Sequence, residues 1–103
     1  MSTHEEMKDA LHMIKILGHP VRLSILCNLI EKGEMKAGDI VAQESGYASQ
    51  SQTSQYLRKL KKEGLIAARK NGQHVYYSLK SDEIKSLIGV LHDLYCAEKT
   101  SKK

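Results

Sequence analysis

Two extended runs, "LIAARK" and "QHVYYSL", are joined through Asn71-Gly72, a dipeptide whose residues both tolerate positive φ and therefore mark a tight hairpin. They are the only sheet-like piece in 103 residues. What precedes and follows them carries helical signals. Thr3-His4-Glu5-Glu6 fits a capping box ahead of Met7, Ala10, Leu11, Ile14 and Leu17, and Gly18 ends that helix. His19-Pro20 restarts the chain with Pro at a first helical position, and Val21, Leu23, Ile25, Leu26, Cys27, Leu29 and Ile30 predict a largely buried second helix ended by Gly33.

A short third helix is expected around Ala37 to Glu44, poorly capped at Lys36 and Gly38, followed by a turn at "SGYA". Ser49 and Gln52 then form a second capping box for a helix reaching about Lys62, with Gly64 as its stop. After the hairpin, Ser81 caps a last helix on which Ile84, Leu87, Ile88, Leu91, Leu94 and Tyr95 recur at helical spacing. Four helices, a hairpin and a fifth helix make a mainly α chain with a β-hairpin wing, the order of a winged helix-turn-helix domain.

On the fourth helix, Thr53, Leu57 and Leu60 share a face that packs inward, leaving Gln50, Ser51, Gln52, Ser54, Gln55 and Arg58 outward beside Ser49. Short hydroxyls and amides suit the major groove, since Gln bonds adenine bidentately and Ser donates or accepts at several base edges. Arg58, Lys59, Lys61 and Lys62 extend toward flanking phosphates, which supply affinity rather than sequence information. Arg69, Lys70, Asn71, Gln73 and His74 place a second polar, basic patch at the hairpin tip. The plain alternative is a solvated helix face and a soluble cationic surface. The position of the polar run between a turn and a basic hairpin favours double-stranded DNA as partner.

At this length the chain reads as one domain, residues 1–103, small enough that pairing with a second copy adds useful apolar burial. A formal charge of +4 favours a polyanion. Phe and Trp are absent, so Leu, Ile, Val, Met and Ala must build the core. No apolar run approaches the roughly 18 residues of a membrane span, and "MSTHEEMKD" is unlike a secretory signal, so a cytoplasmic location is expected. The tail "EKTSKK" is expected to be disordered. There is no CxxC, phosphate-binding glycine loop, nucleophile elbow or paired-carboxylate site to suggest an enzyme, and no cofactor is expected. In a reducing compartment the two cysteines, Cys27 and Cys96, are either buried small hydrophobes or a reversible switch.

The runs "LGHPVRLSILCNL", "SQSQTSQYLRKLKKEGLIAARKNGQHVYYSL" and "LHDLYC" resemble the ArsR/SmtB-type winged-helix repressors over roughly Lys8 to Ala97. "ILC" and "LYC" resemble its dithiol branch, the HlyU/BigR/SqrR-like sensors of reactive sulfur or oxidants. The resemblance implies a homodimer paired through the first and last helices and bound to an inverted-repeat operator. It also implies release when Cys27 and Cys96 form a disulfide or polysulfide bridge. A metal-responsive repressor and a redox-independent anti-repressor are the alternatives. The segment "EMKAGDI" has Lys36 and Gly38 where one metal site of the family has thiolates. On the last helix only His92 is available, with Cys96 on the same face and Asp93 or His12 as further ligands, so no metal site is assigned. Two departures stand out: the turn "ESGYAS" is about two residues longer than is usual in the family, and Tyr56 occupies a position where the family often has His.

Overall fold

Helix α1 (His4–Leu17) opens on the expected capping box: Thr3 Oγ1 accepts from the Glu6 amide at 3.2 Å and Glu6 Oε1 accepts from the Thr3 amide at 2.9 Å. The box satisfies two amides that a helix start leaves without an intrahelical acceptor. Pro20 opens α2 (Pro20–Lys32), and the preceding His19 caps it, its Nδ1 accepting from the Val21 amide at 3.2 Å. Gly33, at φ 83°, turns the chain into β1 (Met35–Lys36). Helix α3 (Ala37–Gln43) follows with no side-chain cap. The second capping box, Ser49 with Gln52, opens α4 (Gln50–Lys62). Strands β2 (Ile66–Asn71) and β3 (His74–Leu79) form the wing. Ser81 Oγ accepts from the Ile84 amide at 3.2 Å and caps α5 (Asp82–Leu91), which continues as a π-helical turn, His92–Cys96. The computed structural model describes residues 3–96, the side chain of Cys96 excepted. The C-terminal tail expected to be disordered lies outside the described residues.

The hairpin is not the only sheet-like piece. Met35 and Lys36 pair antiparallel with Tyr77 and Tyr76, giving a three-stranded sheet in the order β1-β3-β2. Two residues have no alternation of their own to read, and a partner far along the chain supplies the pairing. The hairpin turn also differs from expectation. Asn71 pairs with His74 as the last residue of β2, so the two-residue loop is Gly72-Gln73. Of these two, Gly72 takes a positive φ, 64°, and Gln73 does not. That is the pattern of a type II′ turn, which places glycine first. A third difference lies after Leu91, where the switch from α to π winding advances the chain by more residues per turn.

Helix α2 is the centre of the core. Ile25, Leu26 and Leu29 are almost wholly buried against Ile40 of α3, Leu57 and Leu60 of α4, the Leu65-Ile66 entrance to β2, and Ile88 of α5. The cluster is mostly aliphatic, with Cys27 and Met35 among its members and Tyr56 and Tyr77 packed at its margin. Among the described residues no single helix is long and apolar enough to cross a membrane.

Candidate nucleic-acid interface

Helices α3 and α4 and the turn between them form the helix-turn-helix unit, and α2 packs against both. Glu44, at the end of α3, is buried. Its carbonyl accepts from the Tyr47 and Ala48 amides at 2.9 Å, and its carboxylate accepts from Ser24 Oγ of α2 at 2.6 Å. A buried polar group without such partners costs about 1–3 kcal/mol. The long turn is therefore tied to the core at its first residue while Tyr47 projects into solvent. Tyr56 makes a second tie. Its hydroxyl lies 3.1 Å from His19 Nε2, with the rings 4.7 Å apart. Because His19 Nδ1 accepts the Val21 amide, the neutral ring carries its proton on Nε2 and donates to Tyr56 Oη. The tyrosine that departs from the family pattern thus holds α4 to the start of α2.

Helix α4 presents its two faces as expected. Thr53, Leu57 and Leu60 are buried, the Thr53 hydroxyl having no hydrogen-bond partner among the described residues. Gln50, Ser51, Gln52, Gln55, Arg58, Lys59, Lys61 and Lys62 are exposed, whereas Ser54 is half-buried at the edge and less available than its spacing suggested. Ser49 and Gln52 are occupied by capping: Gln52 Oε1 accepts the Ser49 amide, leaving only its NH2 group to donate outward. Bidentate reading of adenine needs both ends of the amide. Gln50 and Gln55 retain both ends.

The wing is less free than its composition implies. Lys70, Asn71, Gln73 and His74 are exposed. Arg69 instead makes a bidentate pair with Glu34, Nε and Nη2 donating at 3.0 and 2.9 Å, and its guanidinium lies 4.6 Å from the centre of the Tyr76 ring. The hydrogen bond from Arg69 holds the Glu34 carboxyl below the usual carboxylate range, against an opposing effect of burial and with the help of the Arg69 charge. The guanidinium is correspondingly held charged. Glu34→Gln is expected to release Arg69 and remove a negative charge beside the wing, tightening DNA binding about threefold at low salt and steepening its salt dependence. Fluorescence anisotropy across a salt series checks this; an unchanged affinity would show that Arg69 does not reach the duplex even when freed.

Cys27 is buried in α2, yet it lines a cleft of about 360 Å³ together with Pro20, Leu23, Ser24, Asn28, Glu31, Gln43 and His92. Helix α2 packs against α5 and its π-helical turn, which ends at Cys96. The side chain of Cys96 lies outside the described residues. His92 is largely enclosed, its Nε2 3.9 Å from Glu31 and its Nδ1 3.7 Å from Asp93. His12, the other ligand considered for a metal at His92, is instead held by Glu63 at 2.8 Å. Among the described residues no three His, Cys, Asp or Glu side chains are grouped to hold a metal.

Comparison with known proteins agrees with this architecture. Residues 19–68 match the family described as bacterial regulatory protein, arsR family. The transcriptional activator HlyU of Vibrio cholerae is 39% identical over 84% of this chain and 78% of its own length. The biofilm growth-associated repressor of Xylella fastidiosa is 32% identical over 93% and 85%. The structure of reduced HlyU from Vibrio cholerae matches with a TM-score of 0.82 at 36% identity, covering 91% of this chain and 96% of that one. The repressor BigR from Xylella fastidiosa matches at 0.71 and 31%, covering 94% and 100%. With a winged helix-turn-helix fold and relatives of this similarity along most of its length, the chain belongs to the arsR family of bacterial DNA-binding transcriptional regulators.

Proposed function

We propose that the protein is a homodimeric repressor that reads an inverted-repeat operator and leaves it when Cys27 and Cys96 become bridged by a disulfide or a chain of sulfur atoms. Gln50, Ser51 and Gln55 face base edges. Arg58, Lys59, Lys61 and Lys62 meet phosphates, and Lys70, Asn71, Gln73 and His74 contact the neighbouring backbone or minor groove. Ser49 and Gln52 hold the start of the reading helix, Ser54 borders it, and Arg69 stays with Glu34. The observation that carries the switch is the shared cleft: Cys27 on α2 and His92, the first residue of the turn ending in Cys96, line the same opening. A relative solved as reduced HlyU supports a regulator with more than one redox state.

In the proposed chemistry one thiolate attacks a sulfane sulfur of a polysulfide and becomes a persulfide, expelling the shortened sulfide chain. The second thiolate then attacks the first cysteine's own Sγ, forming the Sγ–Sγ bond and expelling the outer sulfur as hydrosulfide. Two thiols are oxidised to a disulfide, and one sulfane sulfur is reduced to sulfide. A description of HlyU as an activator also accommodates a second reading, in which this chain raises transcription by displacing another repressor. Both readings share the same operator contacts.

Footprinting on genomic fragments tests the DNA contacts. A two-fold dimer places its reading helices roughly 34 Å apart, about one turn of DNA, so two protected half-sites are expected. Gln55→Ala should change preference at one base position by about 1–3 kcal/mol, and Arg58→Ala should lower the salt slope by about 0.9 for one lost phosphate contact. An equal loss from Gln55→Ala on every sequence would remove Gln55 from direct readout.

A further inference from the structure

A second cleft, of about 200 Å³, lies where α1, α2 and α4 meet and is lined by His12, Lys15, Ile16, Arg22 and Lys59. The DNA-reading surface described above includes only the last of these. We propose that this corner is an oxyanion site, filled in the DNA complex by a backbone phosphate beside the reading helix. The assignment of its occupant rests on the proposed DNA-binding mode.

Charge is the first ground. Lys15, Arg22 and Lys59 bring three fixed cations to the cleft, and Glu63 is the acid at its edge. That carboxylate is already held by His12 at 2.8 Å and by Lys59 at 3.5 Å. Neither Lys15 nor Arg22 has a carboxylate partner among the described residues. An arginine that is half-buried loses part of its hydration and gains most from a counter-charge with oxygens to match its fork of donors.

Preorganisation is the second ground. Arg22 Nε donates to the Ile16 carbonyl at 3.0 Å, and the guanidinium carbon lies 5.9 Å from the centre of the Tyr56 ring. Tyr56 is itself held by His19. The guanidinium is thus fixed by one nitrogen while its terminal amino groups remain to bind. Placement is the third ground. Lys59 adjoins Arg58 on α4 and follows Gln55 by one helical turn, so the cleft continues the phosphate-facing side of the reading helix around its flank. A tetrahedral oxyanion matches this arrangement whether it belongs to DNA or is free in solution.

Lys15→Gln and Arg22→Gln in the full-length protein separate the two sources. Both are expected to weaken binding to a footprinted duplex and to a scrambled one by the same factor, about three- to tenfold, and to lower the salt slope by about 0.9. Inorganic phosphate titrated calorimetrically into the DNA-free protein at constant ionic strength is the second arm. Phosphate binding that the variants lose, without a change in DNA affinity or salt slope, would assign the site to a free oxyanion and overturn the backbone occupant. No effect of either variant in either arm would overturn the site itself. Failure of the wild type to bind any duplex would instead reject the functional reading, and the phosphate titration would still decide the cleft. Lys15 is exposed and its side chain makes no described hydrogen bond or ion pair, so Lys15→Gln carries the test if Arg22→Gln, which loses the Ile16 contact, melts early.

Discussion

Cys27→Ser and Cys96→Ser are each expected to leave DNA affinity in the reduced state within about twofold of wild type and to abolish reversible release by polysulfide. In the wild type a release of about 100-fold corresponds to about 2.7 kcal/mol of difference between bridged and unbridged protein in their fit to the operator. Bridge formation alone does not supply that difference. Closing a loop of about 70 residues stabilises the folded chain by roughly 4 kcal/mol in the chain-entropy treatment, whether or not DNA is present. The differential effect must come from geometry. Helix α2 touches α4 as well as α5 and its π-helical turn, and Tyr56-His19 and Glu44-Ser24 tie the helix-turn-helix unit to α2. In the proposed dimer, a bridge that draws α2 toward the π turn would move the two α4 helices, and a stiff operator would convert that movement into lost contacts.

Mass spectrometry of wild-type protein after polysulfide exposure, alongside anisotropy titrations, measures both halves of this prediction. Because Cys27 is buried, Cys27→Ala serves as a second variant in case the serine hydroxyl perturbs the core. Reversible release by both single variants with wild-type dose dependence and no intersubunit crosslink would return the two cysteines to the role of core residues.

The features that were legible in the sequence are those whose causes lie within a few residues. The capping boxes at Thr3 and Ser49 need only a hydroxyl and an amide or carboxylate three positions later. The outward face of α4 follows from the spacing of Thr53, Leu57 and Leu60. The features that escaped are made by distant partners. Strand β1 exists because Tyr76 and Tyr77 offer it a ladder. Glu44 is buried because Ser24 of α2 waits beneath it. Arg69 reads as a free wing cation until Glu34, thirty-five positions earlier, is brought against it. The hairpin turn was placed one residue early because Asn-Gly favours two central residues of positive φ, whereas the ladder runs through Asn71 and leaves that conformation to Gly72 alone. For the candidate interface, periodicity located the exposed polar face of α4, but only the hydrogen bonds distinguish Gln55, with both ends of its amide available, from Gln52, whose carbonyl is committed to the helix cap.

Ile14→Glu is expected to turn the dimer into a monomer and to weaken operator binding by at least about 100-fold, since linking two half-site contacts in one molecule is worth roughly 10²–10⁴ in affinity. Helix α1 carries apolar side chains on two sides. Ile16 is buried, with Met13 and Leu17 packed against the core, while Met7, Leu11 and Ile14 on the other side are 57%, 62% and 63% exposed. Helix α5 and its π turn repeat the pattern, burying Ile88 and exposing Val90, Leu94 and Tyr95. Apolar side chains recurring on the outer faces of both terminal helices make a surface that gains by association. A two-fold interface presents the same patch twice, so one glutamate per chain introduces two buried or closely opposed charges. Removing Ile14 costs the monomer little, because its side chain is already largely in solvent. Circular dichroism should therefore remain close to wild type while sedimentation analysis reports half the mass. If Ile14→Glu stayed dimeric with full operator affinity, subunit pairing would have to use another surface, and the proposed coupling from the Cys27 cleft through the last helix to the reading heads would lose its geometric basis.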